Sequence, residues 1–166
     1  MKRTIVLIRH AKTKPAGLFQ SDFDRRLTER GEQDAPLMGA RLQHHGIQPD
    51  LIIASPAKRT VQTALTIALA TGLGKRSITL EDSLYQATPG ILETVISGIP
   101  DEVKTVFIIG HNPGISELAN ELSPSFRVDH LPTCGIVAAH LQAEEWTSFP
   151  LAKKEIFLFD YPKKQA

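Results

Sequence analysis

Cysteine is almost missing from this chain. Cys134 is the only one among 166 residues, so no intramolecular disulfide can form, and the chain suits a reducing compartment. An excess of charge of either sign is missing too: 19 lysines and arginines stand against 18 aspartates and glutamates, a net charge of +1. That balance supplies no field to attract nucleic acid or an anionic membrane, so any anion site must be local. No apolar run approaches the ~20 residues that a membrane helix needs. The opening MKRTIVLIRH starts like a signal peptide, with Lys2 and Arg3 before apolar residues. Its apolar run is too short, and Arg9 and His10 break it. A cytoplasmic protein is expected. Repeats, low-complexity segments and long linkers are also absent, so a single domain over residues 1–166 is expected.

What the chain does hold is an ordinary globular mix, 42% hydrophobic and 22% charged, rich enough for a core. Residues 4–8, TIVLI, form a continuous β-branched run and read as a strand buried on both faces. Residues 11–27 are polar and carry Pro15 and Gly17, so they read as a loop. A helix follows from Thr28, a good N-cap, to a stop at Gly46, with a kink or restart expected at Pro36. DLIIAS, 50–55, is a second buried strand, and Ser55-Pro56 is expected to cap and open the next helix, which closes at Gly72 or Gly74. SITLEDSLY holds a short strand, and Pro89 starts a short helix to about Gly98. VKTVFIIG, 103–110, is a third apolar strand, followed by His111-Asn112 and a helix from Pro113. Residues 135–141 and 155–160 read as two late strands, joined by a loop whose Trp146 should pack their hairpin. Strands alternating with helices predict an α/β fold: a three-layer α/β/α sandwich with a mainly parallel central sheet.

In such sheets ligands sit beyond the carboxyl ends of the strands. Three apolar strands end here in polar residues: the first at Arg9-His10, the second at Ser55 with Arg59 one turn on, the third at Gly110-His111-Asn112. A parallel sheet brings these ends to one edge, where two histidines and two arginines converge. Two guanidiniums offer rigid forks of N–H donors that suit a phosphoryl group. Helix N-termini at the same edge add partial positive charge. Positive surroundings keep an imidazole unprotonated, hence nucleophilic toward phosphorus, while the second histidine can donate to a phosphoryl oxygen. A single strand-end histidine, or one arginine early in a helix, is ordinarily structural; it is the combination that points to a site.

At these residues the sequence resembles the histidine phosphatase superfamily, also called phosphoglycerate mutase-like. LIRHAKT, SPAKRTVQTA and IIGHNPGI look like its motifs, and SDFDRRLTERG is similar to the SDFDRPLNERG region of the SixA-type phosphohistidine phosphatase branch. The resemblance runs from about residue 3 to about 124. It implies a phosphoglycerate mutase-like fold, His10 as a nucleophile that forms a phosphohistidine intermediate, Arg9 and Arg59 binding the phosphoryl group, and His111 stabilising the transition state. Asn112 would add a contact. It implies no metal and no cofactor.

Two departures from the superfamily pattern bear on substrate. The third residue of the first motif is Ala11 where Gly is commonest, and Arg-His-Ala-Lys is frequent in the SixA-type branch. Lys12 can help attract an anionic substrate, although a solvated lysine is the simpler reading; Arg25, Arg26 and Arg30 can rim the site, Arg25 best. Gln86 stands where many members place a glutamate as proton donor to the leaving group, with Glu81 and Asp82 nearby as substitutes. Glutamine cannot donate that proton. An alkoxide needs it, whereas an imidazole of pKa near ~6.5 can arrive already protonated. The expected function is therefore a metal-independent phosphatase, with a phosphohistidine-bearing protein as substrate and partner. A small-molecule phosphomonoesterase or mutase is the alternative, and an inactive phosphoprotein-binding module a more distant one. His44, His45, His130 and His140 read as incidental, and Cys134 as a small buried hydrophobe. Oligomeric state has no signal in the sequence.

Overall fold

A computed structural model describes residues 1–164. Six strands form one sheet in the order β3-β2-β4-β1-β5-β6. These are β1 (Lys2–Arg9), β2 (Leu51–Ala54), β3 (Ile78–Leu80), β4 (Thr105–Gly110), β5 (Ile136–Gln142) and β6 (Lys154–Asp160). The pairs β3/β2, β2/β4 and β4/β1 are parallel, while β1/β5 and β5/β6 are antiparallel. The described residues also form four α-helices: α1 (Glu29–His44), α2 (Lys58–Thr71), α3 (Pro89–Ser97) and α4 (Gly114–Glu121). None of the helices among the described residues is long and apolar enough to cross a membrane.

The apolar run that suggested a doubly buried strand divides its side chains between two cores, because successive residues of a strand point to opposite faces. Ile5 and Leu7 join a cluster with Leu92 and Ile96 of α3 and Ile115 and Leu118 of α4. Val6 and Ile8 join another with Ala35, Met38 and Leu42 of α1 and Ala64 and Ile67 of α2. The three-layer α/β/α sandwich with a mainly parallel sheet is thus the observed fold.

Two local expectations are corrected. α1 runs through Pro36 as one helix. Pro36 lies on the exposed face, where water can solvate the carbonyl it leaves unbonded, while Ala35, Met38 and Leu42 are buried on the other. Burying such side chains contributes about 1.5–3 kcal/mol each, which offsets the cost of a proline of about 3 kcal/mol. Ser55 and Pro56 do not open α2: the helix begins at Lys58 with Ala57 as N-cap. Trp146 joins the core cluster of the hairpin's Val137, Ala139 and Leu141, with Ile156 packed against it, as expected. It is fully buried beneath the sheet, donating from Nε1 to the Val103 carbonyl at 2.7 Å and lying 5.4 Å from the Arg3 guanidinium.

Arg3 itself is 1% exposed, an unusual place for an arginine. It donates to the carbonyls of Ala143 (3.2 Å), Asp101 (2.9 Å), Val103 (2.8 Å) and Glu144, so its buried donors are satisfied. These bonds tie the start of β1 to the segments around β4 and β5 at the end of the sheet opposite the strand-end histidines.

Close packing also fixes the loop after β1. Thr28 caps α1 through Gly31 N–H (3.0 Å), and its own N–H donates to the Lys12 carbonyl at 2.9 Å. A Cβ on Gly31 would fall 2.3 Å from that carbonyl. Gly31→Ala is therefore expected to force backbone movement costing about 1–3 kcal/mol. Thermal melting should show a fall of several degrees, whereas Gly74→Ala, with open space around it, should leave the midpoint nearly unchanged.

Candidate active site

The position of β4 between β1 and β2 decides what meets at the carboxyl edge. Arg9 pairs with Gly110 across β1/β4, and His10 N–H continues the ladder to the Gly110 carbonyl at 3.1 Å. On the other side Ser55 N–H donates to the Ile109 carbonyl at 3.1 Å. His10, His111 and Ser55 thus leave three adjacent strands, and backbone hydrogen bonds fix each. Arg59 comes from the first turn of α2. Arg9, His10, Arg59 and His111 all line one cavity of about 600 Å³. A larger cavity of about 700 Å³, with Asp50, Arg76 and Glu102 in its wall, contains no histidine.

The imidazoles of His10 and His111 lie 5.4 Å apart between ring centres. His10 is 6% exposed, and its Nδ1 lies 2.8 Å from the Ala11 carbonyl. A carbonyl only accepts, so Nδ1 carries the proton and Nε2 keeps a free lone pair. His111 Nε2 lies 2.7 Å from Ser55 Oγ, which accepts the Ala57 N–H at 3.3 Å. Nε2 is the one acceptor that the fully buried Ser55 hydroxyl meets among the described residues, so the hydroxyl proton points there and the His111 proton is on Nδ1. That atom is buried and has no partner among the described residues, and the same holds for Arg9 Nε and Arg59 Nε. Buried donors are normally satisfied, so three orphans on residues that line one cavity are a strong sign of a missing acceptor.

The arginines are held differently. Arg9 Nη1 donates to the Leu131 carbonyl at 3.0 Å. Arg59 gives Nη1 to the Asp22 carbonyl (2.7 Å) and Nη2 to the Asp22 carboxylate (3.0 Å). Both terminal nitrogens of Arg59 are thus held by the protein, against one of the two in Arg9. Burial, with the neighbouring Arg59 charge, lowers the Arg9 pKa. Burial is also the main cause that pushes His10 down to about 3, with His111, Arg9 and Arg59 adding to it against the Ala11 bond. Burial and then Arg59 push His111 down to about 4. Both imidazoles are neutral near pH 7.

The other residues expected at the site divide. Arg25 lines the cavity, but its guanidinium is occupied by the Lys14 carbonyl (2.8 Å), the Asp22 carboxylate (2.9 Å) and the Thr13 hydroxyl (2.6 Å). Asn112 also lines it, with its amide donating to the Leu131 carbonyl at 3.1 Å and its oxygen bonded by Ser116. Ser55 is fully buried behind His111 and cannot face a substrate. Lys12 is exposed and borders a different cavity with Arg30 and Asp34, so neither Lys12 nor Arg30 belongs to this site. Gln86 lines the cavity, whereas Glu81 and Asp82 do not. Two residues that sequence reasoning passed over are present: Asp22 and Tyr85, whose hydroxyl donates to the Asp22 carboxylate at 2.6 Å. Hydrogen bonds from Tyr85 first, then Arg25 and Arg59, hold that carboxyl well below the usual range and keep it ionised. The segment SDFDRR, aligned with a family motif, was the available signal for Asp22; nothing comparable marks Tyr85. Among the described residues no three His, Cys, Asp or Glu side chains gather as a metal site requires.

Residues 5–106 match the model of the histidine phosphatase superfamily, branch 1. The chain belongs to this superfamily. It is 29% identical to an uncharacterized protein of Mycobacterium leprae, over 94% of this chain and all of that one. It is 33% identical to phosphoserine phosphatase 1 of Hydrogenobacter thermophilus, over 60% of this chain and 48% of that protein. Among solved structures it superposes on a Nakamurella multipartitia protein assigned to the SixA phosphohistidine phosphatases, with a TM-score of 0.84 and 27% identity over 99% of this chain and 98% of that one. Within the superfamily the chain is of the SixA type in fold and sequence.

The depressed histidines make stability pH-dependent. With folded values of about 3 and about 4 against an ordinary 6.5, the unfolded chain binds more protons than the folded one below pH 6.5. Their contribution is complete above pH 6.5 and is lost as pH falls toward 4 and 3. Denaturant melts should therefore show a larger loss of stability between pH 7 and pH 5 in the wild type than in a His10→Gln/His111→Gln variant. NMR titration of the ligand-free protein should show neither imidazole with a midpoint near 6.5.

Proposed function

We propose that this chain hydrolyses a phosphoryl group through a covalent intermediate on His10, and that its substrate is phosphohistidine borne by a protein. The observation that carries the reading is that Arg9, Arg59 and His111, each with a buried side-chain nitrogen that has no partner among the described residues, line the same cavity as His10 with its free Nε2 lone pair. A phosphoryl group offers three oxygens, and the site offers three unpaired buried donors.

In the first step a bond forms between His10 Nε2 and phosphorus while the bond from phosphorus to the leaving group breaks, in line and on the far side. Arg9, Arg59 and His111 bind the three equatorial oxygens and stabilise their charge. Water then attacks the phosphohistidine, releasing inorganic phosphate and neutral His10. The two guanidiniums supply the positive charge, so the reaction needs no metal.

The choice of leaving group rests on Gln86, which stands in the cavity wall at the place where many members of the superfamily put a glutamate. Gln86 cannot donate a proton, Asp22 is held ionised by its hydrogen bonds, and the other carboxyl of the wall, Glu117, comes from the first turn of α4 and not from that place. A leaving imidazole that arrives protonated needs no acid, while an alkoxide does. This favours a P–N bond over sugar phosphates or phosphoglycerates. Such a substrate protein would be met in the cytoplasm, in keeping with the single cysteine.

His10→Ala is expected to abolish hydrolysis of p-nitrophenyl phosphate and of a phosphohistidine peptide, with wild-type activity undiminished by a chelator. The wild type should turn over the peptide at least about 100-fold more efficiently than any of a panel of sugar phosphates, the scale of help that a general acid gives. Activity surviving in His10→Ala would reject the covalent route. Fast hydrolysis of an alkyl phosphate with none on the peptide would reject the substrate.

A further inference from the structure

Asp22 is joined to the site more closely than any other residue outside the strand ends. It lies in a single 3-10 turn, Asp22–Asp24, within the loop that separates β1 from α1. Its main-chain carbonyl and its carboxylate hold the two terminal nitrogens of Arg59 at 2.7 and 3.0 Å. A guanidinium has two usable edges, one formed by its terminal nitrogens and one that includes Nε. Asp22 covers the first, and the orphaned Nε is on the second.

We propose that Asp22 is the positioning residue of Arg59: it ties down both terminal nitrogens and so holds the guanidinium at the wall of the cavity, where its charge meets the phosphoryl group. The inference rests on the phosphatase reading of the site. Its physical need comes from Arg9. Two guanidiniums facing one cavity repel, and a flexible arginine relieves that repulsion by swinging away unless something of opposite charge holds it. Arg59 is 6% exposed and has Asp22 as its one carboxylate partner.

The loop is built to keep Asp22 in place. Arg25 bonds the other carboxylate oxygen at 2.9 Å while gripping the Lys14 carbonyl and the Thr13 hydroxyl. Tyr85 holds the carboxylate from the facing loop. Lys58, beside Arg59 in α2, lies 3.8 Å from the Asp24 carboxylate. Arg25 and Tyr85 thus act on the substrate site through Asp22, and the segment between β1 and α1 is part of the active site.

Binding of orthovanadate and of inorganic phosphate by titration calorimetry tests this without turnover. Asp22→Ala is expected to weaken both about 10- to 50-fold, to raise KM for p-nitrophenyl phosphate by a similar factor and to lower kcat by less than threefold. In an Arg59→Ala background the same substitution should change affinity by less than twofold, because there is no guanidinium left to position. A melting midpoint within a few degrees of wild type shows that the variants fold. An Asp22→Ala variant that binds within twofold of wild type would overturn the inference. So would an equal loss in the presence and absence of Arg59, which would mean that Asp22 merely supports the loop. Wild-type protein that binds neither anion would instead bring down the phosphatase reading itself.

Discussion

Two guanidiniums are held side by side against one cavity, and most of the site is a consequence of that repulsion. The Arg9 pKa reflects it, lowered by burial and by Arg59. Neither arginine is left to find its own place: Leu131 holds Arg9 through a carbonyl and Asp22 holds Arg59 through a carbonyl and a carboxylate. The strain is affordable because cores on both faces of the sheet, not the site, stabilise the fold. The same crowding adds to burial in keeping His10 and His111 neutral, so the site in its free state holds positive charge only where it is rigid. A bound dianion would supply the counter-charge that the protein withholds.

The sheet order is what makes such crowding possible. The chain runs from β1 through α1 to β2 and leaves a gap between them, which β4 fills after α3 has crossed the other face. His111 therefore emerges beside both His10 and Ser55, although it is about a hundred residues from the first. The β1/β4 and β2/β4 ladders set these positions through main-chain bonds, which no side-chain change nearby would move. Gly114 completes the arrangement: a Cβ there would fall 2.0 Å from the Ala87 carbonyl, so the start of α4 packs directly on the loop that carries Tyr85 and Gln86.

Much of this was legible in the sequence, for physical reasons. TIVLI, DLIIAS and VKTVFIIG are continuous apolar runs, and a strand covered on both faces has to be one. Their polar ends point to one sheet edge once the alternation with helices makes the sheet parallel. That reasoning reaches Arg9, His10, Arg59 and His111 without any side-chain geometry. It fails where an effect depends on a third element. Ser55 followed by Pro56 has the form of a helix start, but tertiary contacts begin α2 at Lys58 and leave Ser55 to His111. Lys12 follows the proposed nucleophile closely in sequence, yet the chain turns after Ala11 and takes it to another cavity. Asp22 and Tyr85 could not be paired from sequence, because 63 residues separate them and neither lies at a strand end. Arg3 stands in the sequence as one of two basic residues before an apolar run, with nothing to mark it as buried, yet it donates to four carbonyls from distant segments.

The hydrogen bonds of the two histidines bear on whether such a site only binds or also reacts. A pocket for phosphate binding alone needs donors, and every imidazole nitrogen facing it would best carry a proton. His111 fits that need, since the Ser55 hydroxyl directs its proton to Nδ1. His10 does the opposite: the Ala11 carbonyl takes its Nδ1 proton and leaves a bare lone pair on Nε2. Toward a phosphoryl oxygen that lone pair is repulsive, and toward phosphorus it is a nucleophile. Both imidazoles carry their proton on Nδ1, each fixed by a separate bond, but His10 gives that proton to the Ala11 carbonyl and keeps only its lone pair for the site, which weakens an anion-binding module and favours phosphoryl transfer. The neutral state of both rings near pH 7 sharpens the contrast, because a protonated His10 would bind phosphate better and could not attack it.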